Sequence, residues 1–408
     1  MYKRQASFNT SRWVFDLAGQ LIAETDANGF STVPEYDVAG NVVAVTDRRG
    51  YRIQYVRDDL DRIVYEQWLA PITETATSGD FKFTTEFRNL YDPYGRQTVA
   101  EQWNMTTLTS NTSATLISKK TFSFDDLDRL LSTFAGTTPG QSAARLTYQY
   151  DALGNLTSRQ QQTGTGASQI IVTTAYSNYD YLNRLTKLKQ TMTGTWATWQ
   201  DKSVELIYRS DDSISTIKRY SDATWTGLVV QSDYGQDSAG RLSSLVHSRL
   251  AGTTLTAVAS YAYKYFADEK QLSEVWSVPS LNFNNVTETF GYDANGQLTT
   301  SAKAAGSESF NYDATGNRTA ANGTIGRGNR VTNDGNYAIT YDAEGNVIKR
   351  QKVIVAQGNT SQEYTTYAWD NRNQLTKVEF FTGANVLTKR VENTYDTDGN
   401  RKIGRAHV

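Results

Sequence analysis

The 408-residue chain contains no cysteine, only 5 prolines and only 2 histidines. The missing thiols exclude disulfides, thiolate catalysis and cysteine-based zinc sites. No run approaches 18 apolar residues, which excludes a helical membrane span. No signal peptide opens the sequence. Neither charge dominates: 41 basic residues face 43 acidic ones, for a net charge of -2, which argues against a nucleic-acid binder. Apolar residues are also scarce, at 38% with a mean hydropathy of -0.56, low for a chain of this size around one compact core. What is abundant excludes disorder. Aromatics reach 12%, with 25 tyrosines, whereas disordered chains are poor in aromatics and usually rich in proline. The composition describes an ordered protein that buries aromatics and keeps much of its surface wet.

Residues 1–5 and 403–408 match nothing else in the chain. Both resemble in-frame translations of sequencing-library adapter DNA and are set aside as scars. On that reading residues 6–402 form a single repeat array cut from a longer protein, and its sole histidine is His247. Such a piece is expected to present unpaired strand edges at both ends, which invite association.

The array is built on one recurring unit: aromatic, Asp, two variable residues, Gly, then Asn, Arg or Gln, then an apolar residue. Clear copies begin at Phe15-Asp16, Tyr36-Asp37, Tyr91-Asp92, Tyr150-Asp151, Tyr292-Asp293, Tyr312-Asp313, Tyr341-Asp342 and Tyr395-Asp396. Variants replace the glycine: Asp125 is followed by Asp128, Asp180 by Asn183, and Asp370 by Asn373. Asp58 with Asp61, and Asp237 with Gly240, lose the aromatic, and degenerate copies are expected near Asp211 and Asp268. Spacing supports the unit, since Asp16, Asp37 and Asp58 are each 21 residues apart.

Each unit reads as a β-hairpin. In Leu146-Thr147-Tyr148-Gln149-Tyr150 apolar and polar residues alternate as in a strand. Asp151 opens a turn by accepting from backbone N–H groups ahead of it. Gly154 takes the position that needs positive φ, where Asn and then Asp are the best substitutes. Leu156 begins the returning strand and faces Tyr150 across the hairpin. Stretches rich in Thr, Ser and Gly, at residues 73–79, 106–118, 160–168 and 250–256, separate the hairpins as surface loops, and the last two read as longer hairpin tips. No convincing amphipathic helix is found.

These units resemble the YD-repeat, or Rhs, family. YDALGNLTSR, YDANGQLTTS, YDATGNRTA and YDAEGNVIKR are good copies of its repeat, and the resemblance covers nearly all of residues 6–402. It implies an all-β fold in which tandem β-hairpins coil into a spiral strip, part of a hollow β-shell. Such shells occur in bacterial polymorphic toxins, in toxin-complex subunits and in teneurins. In the bacterial members the shell encloses a C-terminal toxin. The family's shell-closing core is missing here: Tyr91-Asp92-Pro93-Tyr94-Gly95 begins like it, but Arg96-Gln97-Thr98-Val99 continues as an ordinary repeat. The autoproteolytic aspartates of that core therefore have no counterpart, and no variable toxin domain follows. Low apolar content with repeated Tyr suits a wall one sheet thick, wet on both sides, with an apolar ring and a wet hydroxyl at each repeat.

Competing functions are weaker on the residues. Thirteen recurring aspartates invite a calcium reading, but each turn supplies only one or two, and the substitutes are turn residues rather than ligands. The folded state is accordingly expected to be independent of calcium. His247 sits on a predicted strand with no motif around it, so no enzyme is expected. The glycine-rich run at residues 322–328 lacks the Lys-Ser/Thr of a phosphate loop and reads as a loop. Trp196, Trp199 and Trp225 could stack on sugars if exposed in one row. The reading is therefore structural: a wall segment of a secreted or bacterial cell-surface shell. No catalytic, cofactor-binding or metal residues are assigned. Its partners are the remainder of its own shell and an encapsulated toxin domain, with no nucleic acid. The alternative is a cell-surface adhesion protein whose partner is carbohydrate.

Overall fold

The computed structural model describes residues 10–71, 81–105, 114–136, 144–164, 168–194, 199–319, 323–353 and 363–407. They form strands joined by turns, with two three-residue 3-10 segments at Pro279–Leu281 and Arg327–Asn329. Two compact units are present. Unit 1 comprises residues 1–121, 135–137 and 312–408, and unit 2 comprises residues 122–134 and 138–311.

Within each unit the strands form antiparallel meanders in which sequence neighbours pair. Unit 1 contains one run from Arg12–Phe15 to Gln97–Met105, continued by Ala114–Phe124 as far as Thr121. A second runs from Thr324–Ile325 to Arg401–His407. In unit 2 the meander includes Ala144–Tyr150 through Gly306–Ser309. The all-β hairpin array read from the sequence is the fold observed. The backbone of Arg401–His407, whose residues 403–407 lie in the segment set aside as foreign, pairs with Leu387–Tyr395. Such pairing uses main-chain groups and is open to any proline-free sequence.

The hairpin at Tyr150 shows the local rule. Gln149 pairs with Ser158, but Tyr150 pairs with Leu156, so the register slips by one residue beside the turn. Asp151 N–H donates to the Asn155 carbonyl at 2.9 Å, and Gly154 N–H donates back to the Asp151 carbonyl at 3.1 Å. The glycine has φ +87°, the left-handed value that closes a type I turn onto the returning strand. Asp61, Asp128, Asn183 and Asn373 take the same position at φ 61°, 62°, 63° and 57°.

Two features depart from the sequence reading. Asp26 and Asp47 close the same turns, with Gly29 at φ 89° and Gly50 at φ 84°. These turns lie on the opposite edge from Asp16 and Asp37, so the 21-residue period holds one turn at each edge. Thr25 and Thr46 stand where the aromatic would be. The degenerate copies near Asp211 and Asp268 do exist, but the opening position belongs to Arg209 and Phe266, and Asp212 and Glu269 hold the positive φ.

Neither unit has a thick apolar core. The buried apolar residues of unit 1 are Ala44, Trp68, Leu69, Phe87 and Ala100. The most buried side chains of unit 2 are Ser203 and Ser232, small hydroxyls packed between strands. Most described side chains are half-buried, in keeping with the low apolar content. The loop at residues 250–256 is the hairpin tip expected, with a two-residue turn between Leu242–Ala251 and Thr254–Tyr265. Of the expected loops, residues 114–118 and 160–163 are strand, and residues 73–79, 106–113 and 165–167 lie outside the described residues. So does Asn322, and the rest of the glycine-rich run is a two-residue strand followed by the Arg327–Asn329 turn rather than a plain loop.

Candidate functional site

The recurring chemistry lies along the turn edge. In the turn at Asp151, Oδ1 accepts from Leu153 N–H at 2.9 Å and Asn155 N–H at 2.8 Å, while Oδ2 accepts from Asn155 Nδ2 at 2.9 Å. Asp180, Asp237 and Asp313 repeat the pattern with Arg184, Arg241 and Asn317 as the side-chain donor. Both carboxylate oxygens are thus taken by donors of the same turn. Those bonds hold the carboxyls below the usual range. The leading cause is the side-chain bond from Asn155 for Asp151 and from Arg184 for Asp180, and the Arg241 N–H for Asp237. Among the described residues no group of three or more His, Asp or Glu side chains is placed to hold a metal ion. The aspartates act as turn caps.

The tyrosine of each unit is not wet at its tip, contrary to the expectation from composition. Tyr150 donates its hydroxyl to the Leu130 carbonyl at 3.0 Å, one hairpin back. Tyr179, Tyr208 and Tyr265 do the same to Leu156, Leu185 and Leu242 at 2.7, 2.8 and 2.7 Å. Trp369 substitutes its indole N–H, 2.9 Å from the Val347 carbonyl.

The residue after the turn glycine makes a second link, forward to the next hairpin. Arg129 stacks over the Tyr150 ring at 4.9 Å and donates to the Asp151 carbonyl at 3.1 Å. Arg184 treats Tyr208 and Arg209 likewise, and Arg241 treats Tyr265 and Phe266. Where Asn replaces Arg, its amide reaches the next turn directly, as between Asn155 and Asn183 at 2.6 Å. Sequence reading found the Asn/Arg/Gln preference at this position without a role for it. The signal was present, because that position holds residues that can both cap their own Asp and reach one repeat onward.

His247 faces Ser232, with Nδ1 2.9 Å from Oγ, and Arg219 donates to the same Oγ at 2.8 Å. With Arg219 donating to it, the serine oxygen keeps its own proton for a further hydrogen bond. Ser232 is 0% exposed, so the one Ser–His contact of this cluster offers no nucleophile to a substrate. The neighbouring Asp233 is engaged by Thr216 and Gln231. Strand packing accounts for the group.

Among the described residues the tryptophans do not make an exposed row. Trp68 packs on Phe87, Trp276 packs on Phe283, and Trp103 carries Arg88 over its ring. Trp199 donates to Asp201, and Trp225 lies under Lys187 and Lys189. Trp13 is the one large exposed indole among the described residues. Trp196 lies outside them.

The RHS Repeat family profile matches residues 15–51 and 292–324. No curated protein matches the chain. Among solved structures, the chain is similar to one titled TcdB2-TccC3-Cdc42. The identity is 14% and the TM-score 0.42, covering 95% of this chain and 24% of that one. It is also similar to the Photorhabdus luminescens Tc holotoxin pore carrying a TccC3 mutation. There the identity is 15% and the TM-score 0.47, covering 94% of this chain and 21% of the other. The chain thus spans about a quarter or less of those it matches.

Proposed function

We propose, from the RHS Repeat matches at residues 15–51 and 292–324 and the recurrence of the same turn along the chain, that this chain is a wall segment of a secreted Rhs-type shell that contains a C-terminal toxin. One observation carries the reading. Along the repeats at Tyr150, Tyr179, Tyr208 and Tyr265, hairpins are tied to their neighbours by a backbone ladder, by a Tyr hydroxyl reaching back and by an Arg or Asn reaching forward. The repeated residues are spent on holding the strip together. A layer built this way is a barrier, and a barrier performs containment by excluding proteases and partners from what lies behind it. The adhesion reading needs several indoles exposed in one row, and the observed packing of the tryptophans does not favour it.

The test is to recover the natural coding sequence beyond residue 402, co-express it with this chain and treat the complex with protease. Containment predicts that the downstream domain co-purifies and stays uncut until the wall is denatured. Cutting of that domain while the wall remains intact would overturn the reading.

A further inference from the structure

In unit 1 the run from Arg12–Phe15 to Gln97–Met105 and the run from Thr324–Ile325 to Arg401–His407 belong to separate sheets. They meet through side chains 278 to 321 residues apart in sequence. Arg330 Nη2 lies 3.2 Å from Asp26 Oδ2. Arg48 N–H donates to Glu344 Oε1 at 2.6 Å, and its guanidinium lies 3.6 Å from Oε2. Arg49 donates to the Asp370 carbonyl at 3.1 Å and faces Asp342 at 3.7 Å. Arg372 forms a bidentate pair with Glu66 at 3.0 and 2.9 Å, and Lys120 pairs with Asp398.

Arg372 is the centre of this line. Its guanidinium sits 4.1 Å from the Phe87 ring centroid and 5.4 Å from that of Trp68, two of the few buried apolar residues. Glu66 is held in place by Trp68 Nε1 at 2.7 Å. Satisfaction along the line is incomplete. Arg48 Nε, Asn371 Nδ2 and Thr397 Oγ1 are buried without a hydrogen-bond partner, and they are three of the five such side-chain atoms among the described residues. Polar pairing is therefore poorest where the two sheets meet.

We propose that this contact is a seam that opens as a unit while both sheets stay folded, with Arg372 as its latch. Within each sheet cohesion comes from backbone ladders, which salt does not screen. Across the seam it comes mainly from ion pairs, which salt weakens, the half-buried ones less than the exposed, together with Arg49 on the Asp370 carbonyl and Arg372 on the Phe87 and Trp68 rings. The inference rests on these contacts and does not depend on the containment reading.

The chain has no cysteine, so Val33→Cys and Ala338→Cys would carry spin labels at two chosen places only, one on each side of the seam. The readout is the inter-label distance together with far-ultraviolet circular dichroism. The expected result is a longer, broader distance distribution in about 1 M NaCl, where the Debye length falls to about 3 Å, with an unchanged β signal. Arg372→Met should open the seam at lower salt, and the exchange Glu66→Arg with Arg372→Glu should restore part of the closure. Glu344→Gln, which removes the charge that faces Arg48, serves if Arg372→Met does not fold. An unchanged distance in high salt and in the folded variants would overturn the proposal. So would loss of distance and β signal in one transition.

Discussion

Two residues carry the turn and the joint, and each gives a measurable cost. Gly154 has φ +87° and nothing near the position of a Cβ, so a larger side chain meets no clash there. Gly154→Val therefore isolates the backbone penalty of a β-branched residue in the left-handed region, about 1–2 kcal/mol by urea unfolding. Tyr150→Phe keeps the ring under Arg129 and removes only the hydroxyl bonded to the Leu130 carbonyl. The same measurement should show a loss of about 1 kcal/mol, the usual worth of one such bond. The glycine was legible in the sequence, because positive φ restricts residue type strongly. The hydroxyl's partner was not. A backbone carbonyl one hairpin back leaves no mark on residue identity, and an aromatic at that position serves a solvated tip as well as a bonded one.

At the scale of the hairpin, the turn aspartates set the response to acid. The carboxyls of Asp151, Asp180 and Asp237 are held below their ordinary value of 3.8 in the folded chain. A group depressed on folding contributes stability that is fully present above its unfolded pKa and is lost as pH falls through its folded one. Melting temperature should therefore hold steady above about pH 4 and drop below it. Asp370 runs the other way. Burial raises its pKa, opposed by N–H bonds from Gln374 and Arg372, so its charged form is disfavoured in the fold. Relative to the parent chain, Asp370→Asn should be more stable at pH 7 than at pH 3, and equal differences at both would refute the sign. The hairpins themselves were legible because the Asp-x-x-Gly pattern repeats. The turns at Asp26 and Asp47 escaped because they lack both the aromatic before the Asp and the Asn, Arg or Gln after the Gly, having Phe30 and Tyr51 there instead, and Arg209 and Phe266 escaped because backbone geometry alone suffices for the turn once its neighbours are in place.

At the scale of the molecule, most contacts are local. Neighbouring strands pair in sequence order, so the array could be read from its period alone. The seam could not. Arg48, Arg372 and Glu66 are ordinary charged residues in the sequence, and only a fold that brings positions about 300 apart together gives them partners. The Ser232–His247 contact was missed for a similar reason, since strand register decides it.

The seam also imposes a count. An array whose units touch only their neighbours can gain or lose one without penalty elsewhere. Here Asp26, Arg48, Glu66 and Lys120 meet Arg330, Glu344, Arg372 and Asp398 in the same order along both runs. Deleting the hairpin of Phe81–Tyr91 and Gln97–Met105, between Glu66 and Lys120, would leave the ladders able to re-form but set the two rows out of step, with Asp398 facing the wrong rung. Variation in repeat number should accordingly be tolerated only in pairs of changes that keep the rows aligned, so that the seam acts as a vernier on the length of the chain.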